Sequence, residues 1–236
     1  MEAARDPSRL GPVHRSASLE RMQREVFDVV IVGGGVTGAG AALDAATRGL
    51  TVALIEQRDW ASGTSSRSSK LIHGGLRYLE QAEFGLVREA RHEQSLMLTR
   101  LCPHLVRPVS FLLPLSPRFT RRLWERPYFG AGVLLYELLA GPRVLPRHRH
   151  LSRRGALKRF PGARRDALAG AIEFSDAQVD DARHTLCLVR TAARHGAVVA
   201  SSVRAEGFLD KGSRVTGVRA RCLRRTPHSR SRRAAS

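Results

Sequence analysis

The residues best suited to chemistry begin at Gly33-x-Gly35-x-x-Gly38. Gly33 permits a tight turn, Gly35 lets the backbone approach a pyrophosphate with no Cβ in the way, and Gly38 allows close helix–strand packing. A helix opening behind such a turn presents N–H groups and a positive dipole end to phosphates. Gly34 and Thr37 lie in the same turn. Glu56 sits at the far end of the next apolar run, with Gln57 after it. Its carboxylate is placed to accept hydrogen bonds from ribose hydroxyls, and its charge would repel a 2′-phosphate. Downstream, the Ser/Thr/Gly-rich stretch 61–70 leads into a second permissive turn, His73-Gly74-Gly75.

These groups need a scaffold, and the flanking pattern supplies one. Phe27–Val32 is a β-branched run that reads as a fully buried parallel strand. A helix follows from the glycine turn to about Arg48, where Gly49 stops it. Thr51–Ile55 reads as a second buried strand. A glycine motif lying between a strand and a helix, with an acid ending the next strand, is a dinucleotide-binding βαβ unit. That unit alone does not separate FAD from NAD.

Further on, Leu86–Leu101 has helical spacing, with Leu86, Ala90, Met97 and Leu101 on related faces. Val109–Leu115 is strand-like. Residues 118–140 read as one or two helices broken near Pro127, and the apolar stretch Tyr128–Ala140 among them, interrupted by Glu137, is too short to span a bilayer. Residues 141–154 read as an exposed basic loop. Ser152 caps a short helix ending before Pro161. Val179–His195 is a helix with Asp180 and Asp181 in its first turn, where they complement the dipole rather than act as catalytic carboxylates. Gly196 ends it, and Val198–Val203 and Val215–Val218 read as strands.

The 40 Lys and Arg residues against 21 Asp and Glu give a formal net charge of +19. A nucleic-acid partner is disfavoured, because the arginines are scattered and no aromatic residues interleave with them as stacking platforms. Attachment to an anionic membrane surface stays compatible with the charge. Aromatic content of 6% means that the core must rest on Val, Leu, Ile and Ala. The odd cysteine count, with no CxxC pair among Cys102, Cys187 and Cys222, argues against a disulfide framework or a zinc site; no metal is expected. The first 25 residues are polar and contain no apolar h-region, so no signal peptide is expected and the segment reads as disordered.

The segment Gly33-Gly34-Gly35-Val36-Thr37-Gly38-Ala39-Gly40-Ala41-Ala42-Leu43-Asp44-Ala45-Ala46-Thr47-Arg48-Gly49 resembles the first signature of the FAD-dependent glycerol-3-phosphate dehydrogenases. The block from Ser62 to Glu80 resembles that family more specifically, since other flavin oxidoreductases share the glycines but not this block. Phe174-Ser175-Asp176 with Val179–Arg183 is a third similar segment. The resemblance implies an α/β fold, a Rossmann-like FAD-binding domain with part of an interleaved substrate or cap domain. It implies FAD as cofactor, sn-glycerol 3-phosphate as substrate and quinone as electron acceptor. A cytoplasmic location follows, or a peripheral one on the inner face of the cytoplasmic membrane.

On this reading Thr64, Ser65, Ser66 and Ser69, with Lys70 and Leu71, contact the pyrophosphate and ribityl chain, and Gly74 and Gly75 let the chain lie close to the isoalloxazine plane. His73 is the candidate base or flavin neighbour. Arg77 offers a fork of donors to a dianionic phosphate, and Tyr78 lines the same pocket. The expected organisation is a disordered segment at 1–25 and an incomplete FAD-dependent oxidoreductase domain at 26–221, with a cap-like insertion at about 105–178. A basic tail at 222–236, unlike the family's continuation, reads as a frameshift or truncation. Weak or absent turnover is expected. The alternatives are a non-catalytic FAD-binding remnant and another FAD-dependent oxidoreductase.

Overall fold

The computed structural model describes residues 6–139 and 144–224; at residues 77 and 119–123 the description is of the backbone. The elements run α1 (Pro12–Arg24), β1 (Val29–Val32), α2 (Val36–Thr47), β2 (Val52–Glu56), β3 (Leu71–Ile72), α3 (Phe84–Leu96), β4 (Arg107–Leu115), α4 (Phe119–Leu138), β5 (Arg149–Ser152), α5 (Arg153–Arg159), β6 (Gly170–Gln178), α6 (Asp181–Arg194), β7 (Val198–Ser201), β8 (Val203–Lys211) and β9 (Arg214–Cys222). They fall into two units, Met1–Ser68 with Asp180–Ser236, and Ser69–Val179. The second unit begins at Ser69, ahead of the residue near 105 at which a cap-like insertion was expected. The cause is β3, only two residues long, which pairs with β6 and draws its flanking turn into the second unit.

In the first unit β1, β2 and β7 form a parallel sheet in that order, with Val29 opposite Val52 and Ala53 opposite Val198. Ala39, Ala42 and Ala46 of α2 and Val189, Ala192 and Ala193 of α6 bury their small side chains with Val52, Leu54 and Val199. Alanines on both helices permit close approach, so a core poor in aromatics still closes. Gly49 and Gly196 end α2 and α6 at φ +84° and +98°, as the spacing predicts. Asp180 caps α6, accepting the Arg183 N–H at 3.1 Å.

Two expectations for this unit are corrected. β1 is half-buried rather than fully buried: Val30 and Val32 are 41% and 53% exposed, because β1 is an edge strand of the described sheet. Residues 12–24 of the segment expected to be disordered form α1. Its polar composition hides its anchors: Leu19 and Met22 pack on Ile55, Ala200 and Val203, and Arg15 Nε donates to the Ser201 carbonyl at 2.8 Å. The strand expected at Val215–Val218 lies within β9, which pairs with β8 as a hairpin. Residues 225–236 of the expected basic tail lie outside the described residues.

The second unit is built on β6, paired antiparallel with β4 along all nine residues and with β3 and β5 at opposite ends of its other edge. The sequence reading contains no strand here, because Glu173, Ser175 and Asp176 break the apolar pattern although all three are buried. β5 lies where a loop was expected. The buried face of α3 is Val87, Arg91 and Gln94, whereas Leu86 and Leu101 of the expected apolar face are 44% and 63% exposed. The face was misplaced because two polar residues occupy its centre. α4 runs unbroken through Pro127. Burial of Val133 and Tyr136 along it works against the roughly 3 kcal/mol that an interior proline costs. Ser152 caps α5 as expected, accepting the Gly155 N–H at 3.2 Å.

Candidate functional site

The predicted dinucleotide cradle assembles within the first unit. Gly33, at φ +114°, ends β1 and donates its N–H to the Ile55 carbonyl at 2.8 Å, which ties the turn to β2. Gly35 then caps α2 with no side chain of its own, so the first-turn N–H groups of α2 have no intrahelical acceptor. A Cβ on Gly38 would stand 2.0 Å from the Gly33 carbonyl oxygen, so glycine there is what lets α2 begin so close to the turn. Gly34 has a different reason: its missing Cβ leaves room for the Trp60 ring, which would otherwise be 2.5 Å away. Thr37 is exposed on the first turn.

Glu56 Oε2 accepts the Gly34 N–H at 2.8 Å, and its Oε1 accepts the Arg58 N–H at 2.7 Å. The carboxylate is thus oriented by the backbone on both sides of it. Two oxygens offer about four acceptor sites, so capacity for ribose hydroxyls is retained. Gln57 is exposed beside it. Thr64–Ser66 form one 3-10 turn, and Ser65 Oγ accepts the Val36 N–H at 2.9 Å. Ser65 is therefore fixed against the glycine turn, while Thr64 and Ser66 remain exposed. Ser68 donates to Asp181 at 2.5 Å, and that hydrogen bond holds the Asp181 carboxyl below the usual range.

The remaining predicted residues lie in the second unit. Leu71 opens β3, and the Lys70 carbonyl accepts the Val179 N–H at 2.9 Å. After β3 the chain passes His73 and Gly74 to Gly75, at φ +76°, which starts a 3-10 turn over Leu76–Leu79. His73, Gly75 and Tyr78 line a cavity of about 910 Å³, together with Phe111, Phe174 and Asp176; Ser69 and Leu71 also reach it. The glycines are explained by protein rather than by ligand. A Cβ on Gly74 would meet Arg91 Cδ at 2.0 Å, and one on Gly75 would meet the Tyr78 ring at 2.3 Å. The Arg77 backbone belongs to the 3-10 turn; its side chain lies outside the described residues.

One constellation behind this cavity has no counterpart in the sequence reading. Asp176 accepts from Gln94 Nε2 and, at 3.2 Å, from the Tyr136 hydroxyl. Gln94 Nε2 also donates to the Ile72 carbonyl, and its Oε1 accepts from Arg91 at 2.5 Å. The Arg91 guanidinium lies 4.5 Å from the Tyr136 ring centroid. Burial first, and then the Asp176 charge, push the Tyr136 phenol well above its usual pKa. All four side chains are at least 95% buried. The available signal was polar spacing: Arg91 falls four residues after Val87, and Gln94 three before Met97, on one helical face.

A profile of the family described as FAD dependent oxidoreductase matches residues 28–235. This chain belongs to that FAD-dependent oxidoreductase family. Among its relatives, the glycerol-3-phosphate dehydrogenase of Mycobacterium leprae (strain TN) is 59% identical over 214 residues, covering 91% of this chain and 36% of the relative. The human mitochondrial glycerol-3-phosphate dehydrogenase is 43% identical over 220 residues, covering 90% and 29%. The crystal structure of the Bacillus halodurans glycerol-3-phosphate dehydrogenase complexed with FAD superposes with a TM-score of 0.63 at 29% identity, covering 89% of this chain and 33% of that one. The chain thus spans about a third of the length of the curated relatives it matches.

The residues of this family member fit an FAD pyrophosphate at the cradle. The positions that a Cβ would obstruct are glycine, a helix N-terminus faces the turn, and an oriented carboxylate closes β2. Among the described residues no helix is long and apolar enough to cross a membrane.

Proposed function

We propose that this chain binds FAD and serves the oxidation of sn-glycerol 3-phosphate to dihydroxyacetone phosphate, with quinone as electron acceptor. The observation that carries the reading is the cradle. Gly35 and Gly38 leave the turn and the start of α2 free of side chains where a pyrophosphate would lie, and Glu56, oriented by Gly34 and Arg58, receives the adenosine ribose. Thr64, Ser65 and Ser66 supply hydroxyls beside the turn, and Ser69, Lys70 and Leu71 continue along the cofactor. Bound FAD would supply a hydride acceptor for substrate C2 and a store of electrons for the quinone.

The chain's own residues handle charge and protons. His73 takes the C2 hydroxyl proton at an imidazole nitrogen. Arg77 holds the phosphate dianion, and Tyr78 walls the pocket. The high similarity to named glycerol-3-phosphate dehydrogenases supports this substrate over amino acids. The positive net charge supports a peripheral position on the inner face of the cytoplasmic membrane.

A second reading, an FAD-binding module with little or no turnover, is favoured by β1. Val30 and Val32 are exposed on the edge strand of the sheet formed by the described residues, whereas strands of parallel sheets are normally covered on both faces. Anaerobic mixing of the FAD-loaded chain with candidate substrates separates the readings. Bleaching of the flavin by sn-glycerol 3-phosphate, and not by proline or glycine, supports the dehydrogenase. Stoichiometric FAD without bleaching selects the module. Bleaching by an amino acid alone overturns the proposed substrate.

A further inference from the structure

The Arg91–Gln94–Tyr136–Asp176 cluster is too deeply buried to meet substrate broadly, yet it touches one segment from three directions. Gln94 Nε2 donates to the Ile72 carbonyl, immediately before His73. The Tyr136 hydroxyl faces Gly74 so closely that a Cβ there would lie 2.5 Å from it. The Arg91 stem lies against Gly74, close enough that any Cβ there would strike its Cδ at 2.0 Å. Asp176 joins the group from β6, accepting from Gln94 and from Tyr136, and the Ala177 N–H at 3.1 Å fixes the carboxylate itself.

Such a cluster is costly to assemble. Burying a guanidinium and a carboxylate demands that nearly every donor and acceptor be matched. Arg91 Nε has no hydrogen-bond partner among the described residues, and the Tyr136 ring face compensates only part of the cation's desolvation. An apolar core of the same volume would stabilise the unit as well or better. What the polar version adds is direction: hydrogen bonds set positions that apolar packing leaves loose. The atoms it fixes are the backbone of residues 72–74, and the side chain that segment carries to the cavity wall is His73.

We propose that Arg91, Gln94, Tyr136 and Asp176 are positioning residues that hold the Ile72–Gly75 turn, and with it His73, in place at the cavity wall. The catalytic meaning of that position rests on the function proposed above; the mechanical role does not.

The test is amide hydrogen exchange on the full chain without added flavin, comparing wild type with Tyr136→Phe and Gln94→Ala. Tyr136→Phe keeps the ring beneath Arg91 but removes the hydroxyl that faces Gly74 and donates to Asp176. Exchange at residues 73–76 should rise roughly tenfold in each variant, while amides of the β4–β6 ladder stay within about twofold of wild type. Unchanged exchange at residues 73–76 would overturn the proposal. So would an equal rise throughout the unit, or the failure of both variants to fold, because the cluster would then be general core. FAD binding measured separately on the same samples keeps the two questions apart: a chain that binds no FAD defeats the function reading and leaves the exchange result standing.

Discussion

Helix α2 contains two glycines with opposite environments, and the contrast predicts opposite outcomes for the same substitution. At Gly38 a new Cβ would lie 2.0 Å from the Gly33 carbonyl oxygen and 3.3 Å from Ile31 Cγ2. At Gly40 nothing stands within 4 Å of the added atom. Ordinary contact begins near 3.4 Å, so Gly38→Ala forces α2 and the turn apart by about 1.4 Å. The turn cannot yield freely, since Gly33 is at φ +114° and bonded to Ile55. Overpacking of this kind costs about 1–3 kcal/mol, against a helix-propensity gain of about 1 kcal/mol for replacing glycine by alanine. Gly40→Ala keeps only the gain. Gly38→Ala should therefore be destabilised by up to about 2 kcal/mol and Gly40→Ala stabilised by up to about 1 kcal/mol.

Urea unfolding followed by Trp60 emission, in a Trp124→Phe background, reads this directly, because Trp60 packs on Gly34 of the same turn. The displacement also moves the first-turn N–H groups away from a bound pyrophosphate. Losing two hydrogen bonds to a charged group, at about 1.5–3 kcal/mol each, weakens FAD binding by at least about a hundredfold. A Gly38→Ala chain as stable as wild type, or one binding FAD equally well, would refute the geometry of the cradle.

Ser65→Ala removes the acceptor of the Val36 N–H, so FAD affinity should fall several-fold to tenfold with little change in stability; isothermal titration checks both the loss and its size. His184 is buried on α6, and burial lowers its pKa from 6.5. Below pH 6.5 the unfolded chain then binds a proton that the folded chain refuses, so stability falls with falling pH until the folded pKa is passed and then levels off. His184→Gln should flatten that part of a stability-against-pH curve for the first unit, and an unchanged slope would count against it. Asp181, with its carboxyl held low chiefly by the Ser68 hydroxyl, contributes stability that is present above about pH 4 and lost as pH falls through its folded value. Ser68→Ala should remove that contribution, as acid titrations of the two proteins would reveal.

The first unit was legible in the sequence wherever local rules act alone. The β1–α2–β2 unit, the stops at Gly49 and Gly196 and the cap at Asp180 each depend on neighbours a few residues away. The cradle was legible for the same reason, although the sequence could not tell that Gly34 and Gly74 make room for Trp60 and Arg91 rather than for a ligand. Misreadings gathered where long-range pairing overrides local pattern. β3 exists only because β6 pairs with it, and β6 was hidden by Glu173, Ser175 and Asp176. α1 looked too polar to fold, yet three contacts from Arg15, Leu19 and Met22 anchor it on strands nearly two hundred residues away. The buried face of α3 was misplaced because Arg91 and Gln94 are polar and their partners, Tyr136 and Asp176, come from later elements.

The most direct test of the account is cofactor retention. Residues 1–236 purified with FAD present and then freed of excess should retain close to one flavin per chain, seen as the bound-flavin absorbance band, and Gly38→Ala should lose it. A folded chain that stays colourless and takes up no FAD would contradict the claim that the turn from Gly33 to Gly38, with Glu56 and Ser65 around it, is a working dinucleotide site.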